Sequence, residues 1–189
     1  YGVFSDEKLV NKVASRLANK EQVARSKSYP YQLMMAYNAT EGAAMPIKVR
    51  NALQDAMEAS IENVPVFKGK TAVCVDTSGS MGSPVTGFRA GSSSKVRCVD
   101  VASLFASSVL RKNEDAKIIP FDTQVHTSSL NPRDTVITNA AKLAKYGGGG
   151  TDCASAIKSI NKNKEKFDTI IFISDNESWV NGSYYGRGT

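Results

Sequence analysis

The stretch Thr71-Ala-Val-Cys-Val-Asp-Thr-Ser-Gly-Ser80 decides how this chain is read. Its first five residues form a short, β-branched apolar run bounded by polar positions, the pattern of a buried strand in a parallel sheet. The character then changes within one residue. Asp76, Ser78 and Ser80 offer oxygen atoms at alternate positions, and Gly79 between them is expected to relieve the backbone strain of a tight turn. A polar Gly/Ser-rich loop covers residues 78–94, and a helix of small and apolar residues follows over 96–110.

Farther along, Lys117-Ile-Ile-Pro-Phe121 reads as a second strand, which Pro120 pushes toward an edge or a strand end. Residues 125–127 can pair beside it. A helix is predicted over 134–144, leading into four glycines at 147–150, and another helix starts at Thr151-Asp152. Thr169-Ile-Ile-Phe-Ile-Ser174 is a third buried strand. Strands alternating with helices predict an open α/β sheet.

Upstream, residues 5–64 read as helical. Ser5 is an N-cap, with Asp6 and Glu7 as acidic first-turn residues, and Leu9, Val10, Val13, Leu17 and Ala18 recur along one face. A second helix starts at Pro30, runs through Leu33, Met34 and Tyr37, and stops near Gly42. A third opens at Pro46, carries Val49, Leu53, Ala56, Met57 and Ile61, and ends before Pro65. Tyr31, Met34, Met35 and Tyr37 are read as core. Short amphipathic helices with tight connections bury their stripes by stacking, as helical repeats do, although no internal sequence repeat is visible. The expected division is a helical region over 1–66 and an α/β domain over 67–189.

Composition sets the outer limits. The 189 residues leave room for one medium domain, or for a small domain and part of another. Hydrophobic residues at 41% and charged residues at 22% are ordinary for a soluble globular protein. No stretch approaches the roughly 20 apolar residues of a membrane helix, so no membrane role is expected. The start, Tyr1-Gly2-Val3-Phe4, lacks a basic-then-apolar leader. Cys74, Cys98 and Cys153 are widely separated and odd in number. They fit neither a disulfide framework nor a zinc ligand set, and read as reduced thiols of a cytoplasmic protein. The net charge of +6, with a pI near 9.2, agrees with an RNA or phosphate partner without establishing one. Its clusters at 8–27 and 158–166 are explained equally well as solvated helix faces.

Three polar clusters sit at the ends of these elements: Asp76 to Ser80 after the first strand, Thr151-Asp152 at a helix start, and Asp175-Asn-Glu-Ser178 after the third strand. Loops at the carboxyl ends of neighbouring parallel strands converge on one crevice. Asp76, Ser78, Ser80, Thr151 and Asp175 can therefore face a common point. Two carboxylates and three hydroxyls are hard oxygen donors, suited to Mg²⁺, with Mn²⁺ or Ca²⁺ also possible. Asp152 reads as a helix cap rather than a ligand, Glu177 as a residue behind the ligands, and Cys153 as packing.

With Asp76-x-Ser78-x-Ser80, then Thr151, then Asp175, the chain resembles the metal-ion-dependent adhesion site of von Willebrand factor A domains. More narrowly it resembles the Ro 60 kDa autoantigen family (TROVE proteins), particularly its bacterial members. Val75-Asp-Thr-Ser-Gly-Ser-Met81, Gly148-Gly-Gly-Thr-Asp-Cys153 and Phe172-Ile-Ser-Asp-Asn-Glu-Ser178 carry that likeness, with Tyr29-Pro-Tyr-Gln-Leu33 matching the end of the family's HEAT-like helical region. The resemblance implies a ribonucleoprotein component. Family members hold small noncoding Y RNAs on a ring of helical repeats and accept single-stranded ends of misfolded RNAs in its hole. It also implies a metal domain that closes the ring and recruits protein partners, whose carboxylate often completes the metal shell. The helical part before the metal domain and the tail past Asp175 are both short for that family. The chain is therefore expected to be a fragment, with RNA binding exercised by the full-length parent.

Enzyme readings fare worse. The nucleophile elbow Gly-x-Ser-x-Gly fails because Ser78 occupies the first glycine position relative to Ser80. The single histidine, His126, is expected to be exposed on a surface hairpin. An aspartyl phosphotransferase needs a second acid two residues after Asp76, where Ser78 stands. No Lys-Ser or Lys-Thr follows Gly147 to Gly150, as a phosphate cradle requires; a flexible loop that lets Thr151 approach the metal is the simpler account. No catalytic residue is expected. The alternative to the ribonucleoprotein reading is a metal-dependent, adhesion-type protein-binding module with no RNA role.

Overall fold

The computed structural model describes residues 3–40, 45–87, 95–113 and 115–175. Among them, α1 (Glu7–Leu17), α2 (Lys20–Ser26), α3 (Pro30–Ala39) and α4 (Ile47–Ser60) build the first of two compact units, Tyr1–Pro65. The cap of α1 is Asp6, one residue later than expected: its carboxylate accepts the Lys8 N–H at 2.8 Å, while Ser5 ends a preceding 3-10 turn. No separate helix is expected over 20–26, yet α2 forms there. Asn19 caps it, accepting the Gln22 N–H at 2.9 Å, and it ends at Lys27 in the left-handed region, φ +51. Seven residues with one buried anchor, Val23, leave no period to detect.

The spine of this unit is α4. It buries Val49, Ala52, Leu53, Ala56, Met57 and Ser60 at helical spacing, against α1, α2 and α3. Full burial of a side chain such as Met57 contributes about 1.5–3 kcal/mol. Two expected stripe or core residues are on the surface instead. Leu9 is exposed, and Tyr31 is exposed and stacks on Tyr29, so each tyrosine shields part of the other from water. Tyr37 is half-buried under the Arg50 guanidinium. The stop expected near Gly42 lies outside the described residues.

In the second unit, Val66–Thr189, β1 (Thr71–Asp76) is buried along its whole length. The helix α5 (Cys98–Lys112) follows, then β2 (Ala116–Phe121), α6 (Val136–Leu143), α7 (Cys153–Lys162) and β3 (Thr169–Ile173). The sheet order is β2-β1-β3 with both pairings parallel. This is the open α/β arrangement that the alternation of strands and helices predicts. Pro120 is tolerated because β2 is an edge strand among the described residues. Beyond it the chain turns back, with Val125 bridging Phe121 and the His126 N–H donating to the Pro120 carbonyl at 2.8 Å.

Successive residues of β1 point to opposite faces. Ala72 and Cys74 pack with Ile119 and Phe121 against Ala156 and Ile160 of α7, with Cys153 at the margin. The strand's other face meets α5, which in turn packs on α6. The expectation of a fully buried third strand needs correction. Ile170 and Phe172 of β3 are 41% and 42% exposed, although they share the sheet face on which α7 packs over β1 and β2. No helix among the described residues is long and apolar enough to cross a membrane.

Candidate metal centre

Register alone assembles the edge of the sheet where the site lies. Asp76 is opposite Phe121 and Val75 opposite Ile173, so all three strands finish at one level. Thr77, Asp122 and Ser174 leave the sheet side by side. The Thr77 N–H donates to the Phe121 carbonyl at 2.8 Å and its hydroxyl does so at 3.0 Å, which locks the two loops together.

Asp76 is 0% exposed. Its Oδ1 accepts the Ser78 N–H at 2.9 Å, and its Oδ2 accepts the Ser174 hydroxyl at 2.6 Å. The Ser78 and Ser80 hydroxyls are 3.1 Å apart, so Asp76, Ser78 and Ser80 share one tight loop, as the spacing predicts. None of the ion pairs among the described residues includes Asp76. A buried carboxylate without a protein counter-charge is costly, and a cation is the natural compensation. No three His, Cys, Asp or Glu side chains converge among the described residues, so an ion here would rely on hydroxyl as well as carboxylate oxygen. That donor set fits Mg²⁺.

The glycine loop reaches the same place. The Gly148 N–H donates to the Thr77 carbonyl at 2.8 Å, and the Gly79 N–H donates to the Gly149 carbonyl at 2.8 Å. A β-carbon on Gly147, at φ +78, would collide with the Thr77 carbonyl. The loop expected to be flexible is therefore clamped by close backbone contacts. Gly79 also serves a different purpose from the one expected. Its φ is not positive; a β-carbon there would meet the Gly148 carbonyl at 3.3 Å, so glycine here eases the close approach of the two loops. Thr151 follows this loop and is buried at 1% exposure. Asp152 caps α7, accepting the Ala154 N–H at 2.9 Å.

Asp175, half-buried, comes one residue after Ser174. It lies near the start of α5. Burial first, and then the Asp175 charge, push the Cys98 thiol above its usual range. Asn176, Glu177 and Ser178 lie outside the described residues. Hydrogen bonds thus join Asp76, Ser78, Ser80 and Ser174 directly. The glycine loop carries Thr151 toward them, and the end of β3 carries Asp175.

Sequence reasoning missed Asp122 and misplaced His126. Asp122 follows β2 as Asp76 follows β1, a position that could have flagged it. It is 5% exposed, with its Oδ1 accepting the Gln124 N–H at 3.1 Å and its Oδ2 the Gly149 N–H at 3.3 Å. His126 Nε2 lies 3.0 Å from Oδ1. Burial pushes the Asp122 carboxyl up, but the Gln124 N–H, the His126 charge and the Gly149 N–H outweigh it and hold it below the usual carboxylate range. His126 is not a bland exposed residue: its side chain is 20% exposed and its ring stacks on Tyr146.

Residues 70–184 match the family model described as the Ro60 vWA domain. The chain is 27% identical to the RNA-binding protein RO60 of Deinococcus radiodurans, covering 93% of this chain and 34% of that protein. It is also 27% identical to the RNA-binding protein RO60 of Caenorhabditis elegans, over 93% of this chain and 28% of that one. The crystal structure of the Deinococcus radiodurans RO (RSR) protein superposes with a TM-score of 0.75 at 24% identity, over 93% of this chain and 36% of that one, and shows a shared fold.

Proposed function

The chain belongs to the Ro60 vWA domain family, and from that premise we propose that it is the metal-bearing part of an RNA-binding ribonucleoprotein component. Both curated relatives are named RNA-binding proteins, and the net charge of +6 suits a polyanionic partner. The chain spans 34% and 28% of their lengths, so binding of small noncoding RNA and of misfolded RNA is proposed for the full-length protein. Asp76, Ser78, Ser80, Thr151 and Asp175 would hold Mg²⁺, with Mn²⁺ or Ca²⁺ as substitutes. The observation that carries this metal role is the buried Asp76 carboxylate, hydrogen-bonded yet in no ion pair among the described residues. The same reading assigns no catalysis and a cytoplasmic setting.

A second reading draws on the mouth of the site. Gly79 is exposed and Ser80 half-exposed, so a protein partner's carboxylate could approach an ion there without any RNA. A gel-shift titration of the full-length protein with a small structured RNA, with and without Mg²⁺, separates the two. Binding that weakens by an order of magnitude or more between roughly 50 and 200 mM salt is expected for the ribonucleoprotein. Absence of any shift would leave the metal-dependent protein-binding module as the better account.

A further inference from the structure

Asp122 is a buried carboxylate that the proposed ligand set does not use. A local turn explains only part of its surroundings: the Gln124 N–H on Oδ1, and its own N–H on the Gln124 carbonyl at 3.0 Å. It does not explain the two contacts with the glycine loop far along the chain. Oδ2 accepts the Gly149 N–H at 3.3 Å, and the Asp122 carbonyl accepts the Asp152 N–H at 2.9 Å. These contacts fall on either side of Thr151. The Gly149 carbonyl in turn receives the Gly79 N–H, which ties the same loop to Ser78 and Ser80. A β-carbon on Gly149 would come within 3.0 Å of Asp122 Oδ2, so the loop is shaped to lie on this carboxylate. His126 Nε2 also stands 3.0 Å from Asp122 Oδ1.

We infer that Asp122 is a positioning residue: it grips the glycine loop on both sides of Thr151 and so sets that hydroxyl at the cation site. The inference rests on the metal reading above for its functional meaning. Loss of such a supporting contact typically lowers metal affinity by about 10–100-fold.

The test is a calorimetric Mg²⁺ titration of the full chain as wild type, Asp122→Ala, Thr151→Ala and the double variant. It is paired with NMR hydrogen exchange at the Gly149 and Asp152 amides without metal. If Asp122 acts through Thr151, each single variant weakens Mg²⁺ by about tenfold or more. The double variant then loses little beyond Thr151→Ala, because the two effects share one path. The Gly149 amide, which loses its acceptor, exchanges faster in metal-free Asp122→Ala, whereas the Asp152 amide keeps the main-chain carbonyl of residue 122 and serves as the internal reference. A merely structural role would instead give losses that add, and that result, or unchanged Mg²⁺ affinity, or unchanged exchange at Gly149, overturns the inference. Should the alanine variant fail to fold, Asp122→Asn, which keeps the volume and one acceptor, is expected to give a smaller loss with the same non-additivity. Wild-type protein that binds no Mg²⁺, with exchange still faster in the variant, would refute the cation role while leaving the grip on the loop intact.

Discussion

At Gly147 and Asp122 a few atoms determine the shape of the loop that carries Thr151. Gly147→Ala forces a side chain into the left-handed region and against the Thr77 carbonyl. The backbone alone should cost about 1–3 kcal/mol, read as a lower urea midpoint. An unchanged midpoint would mean that the loop does not pack as described. Gly79→Ala should cost less, since its nearest neighbour stands at 3.3 Å and need give only slightly. Asp122 links the loop to pH. Its folded pKa is depressed, so its stabilising effect is present above the ordinary carboxylate pKa of about 3.9 and is lost as pH falls through the lower folded value. Asp122→Asn should therefore flatten stability against pH below about 4 in metal-free acid unfolding followed by circular dichroism. Identical acid profiles would contradict the assignment. Asp76 and Ser78 were legible in the sequence because strand-end oxygen donors at alternate spacing form a local pattern. Asp122 obeys the same strand-end rule, but its partners Gly149 and His126 come from tertiary contacts that no local spacing reveals.

The same contrast holds for the elements. Strands β1 and β2 were legible as apolar runs, and α4 as a helical stripe, because burial imposes a period that the residues record. The short α2 was not readable this way, because it carries a single buried anchor. Strand β3 was legible as an apolar run but its burial was not, since it is apolar at every position from Ile170 to Ile173 and nothing in it distinguishes the exposed face. Phe121 makes a sharp test of the sheet core. It is fully buried and meets Phe172 edge-on, ring centres 6.0 Å apart. Phe121→Ala should cost about 3–5 kcal/mol in chemical denaturation. A cost under about 1 kcal/mol would mean that this position is not core. Thiol chemistry tests burial independently. Burial pushes the Cys74 thiol in β1 up to about 12, whereas Cys98 and Cys153 are only half-buried. Iodoacetamide at neutral pH should label Cys98 and Cys153 in the native protein and Cys74 only after unfolding, as counted by peptide mass spectrometry. Equal labelling of all three would contradict the buried central strand.

For the whole molecule, the family was legible because three short motifs, at Asp76, Thr151 and Asp175, stand in the right order at element ends. RNA binding, proposed for the full-length protein, rests on resemblance, since a charge of +6 distributed along the chain describes many proteins. The claim most exposed to test is therefore the cation. Mg²⁺ should be titrated calorimetrically into the wild-type chain and into Asp76→Ala, with circular dichroism confirming that the variant is folded. Binding by the wild type and its loss in a folded variant is the expected result, because the substitution removes the buried carboxylate at the end of the central strand. Equal affinity in the two proteins would contradict a metal centre built on Asp76.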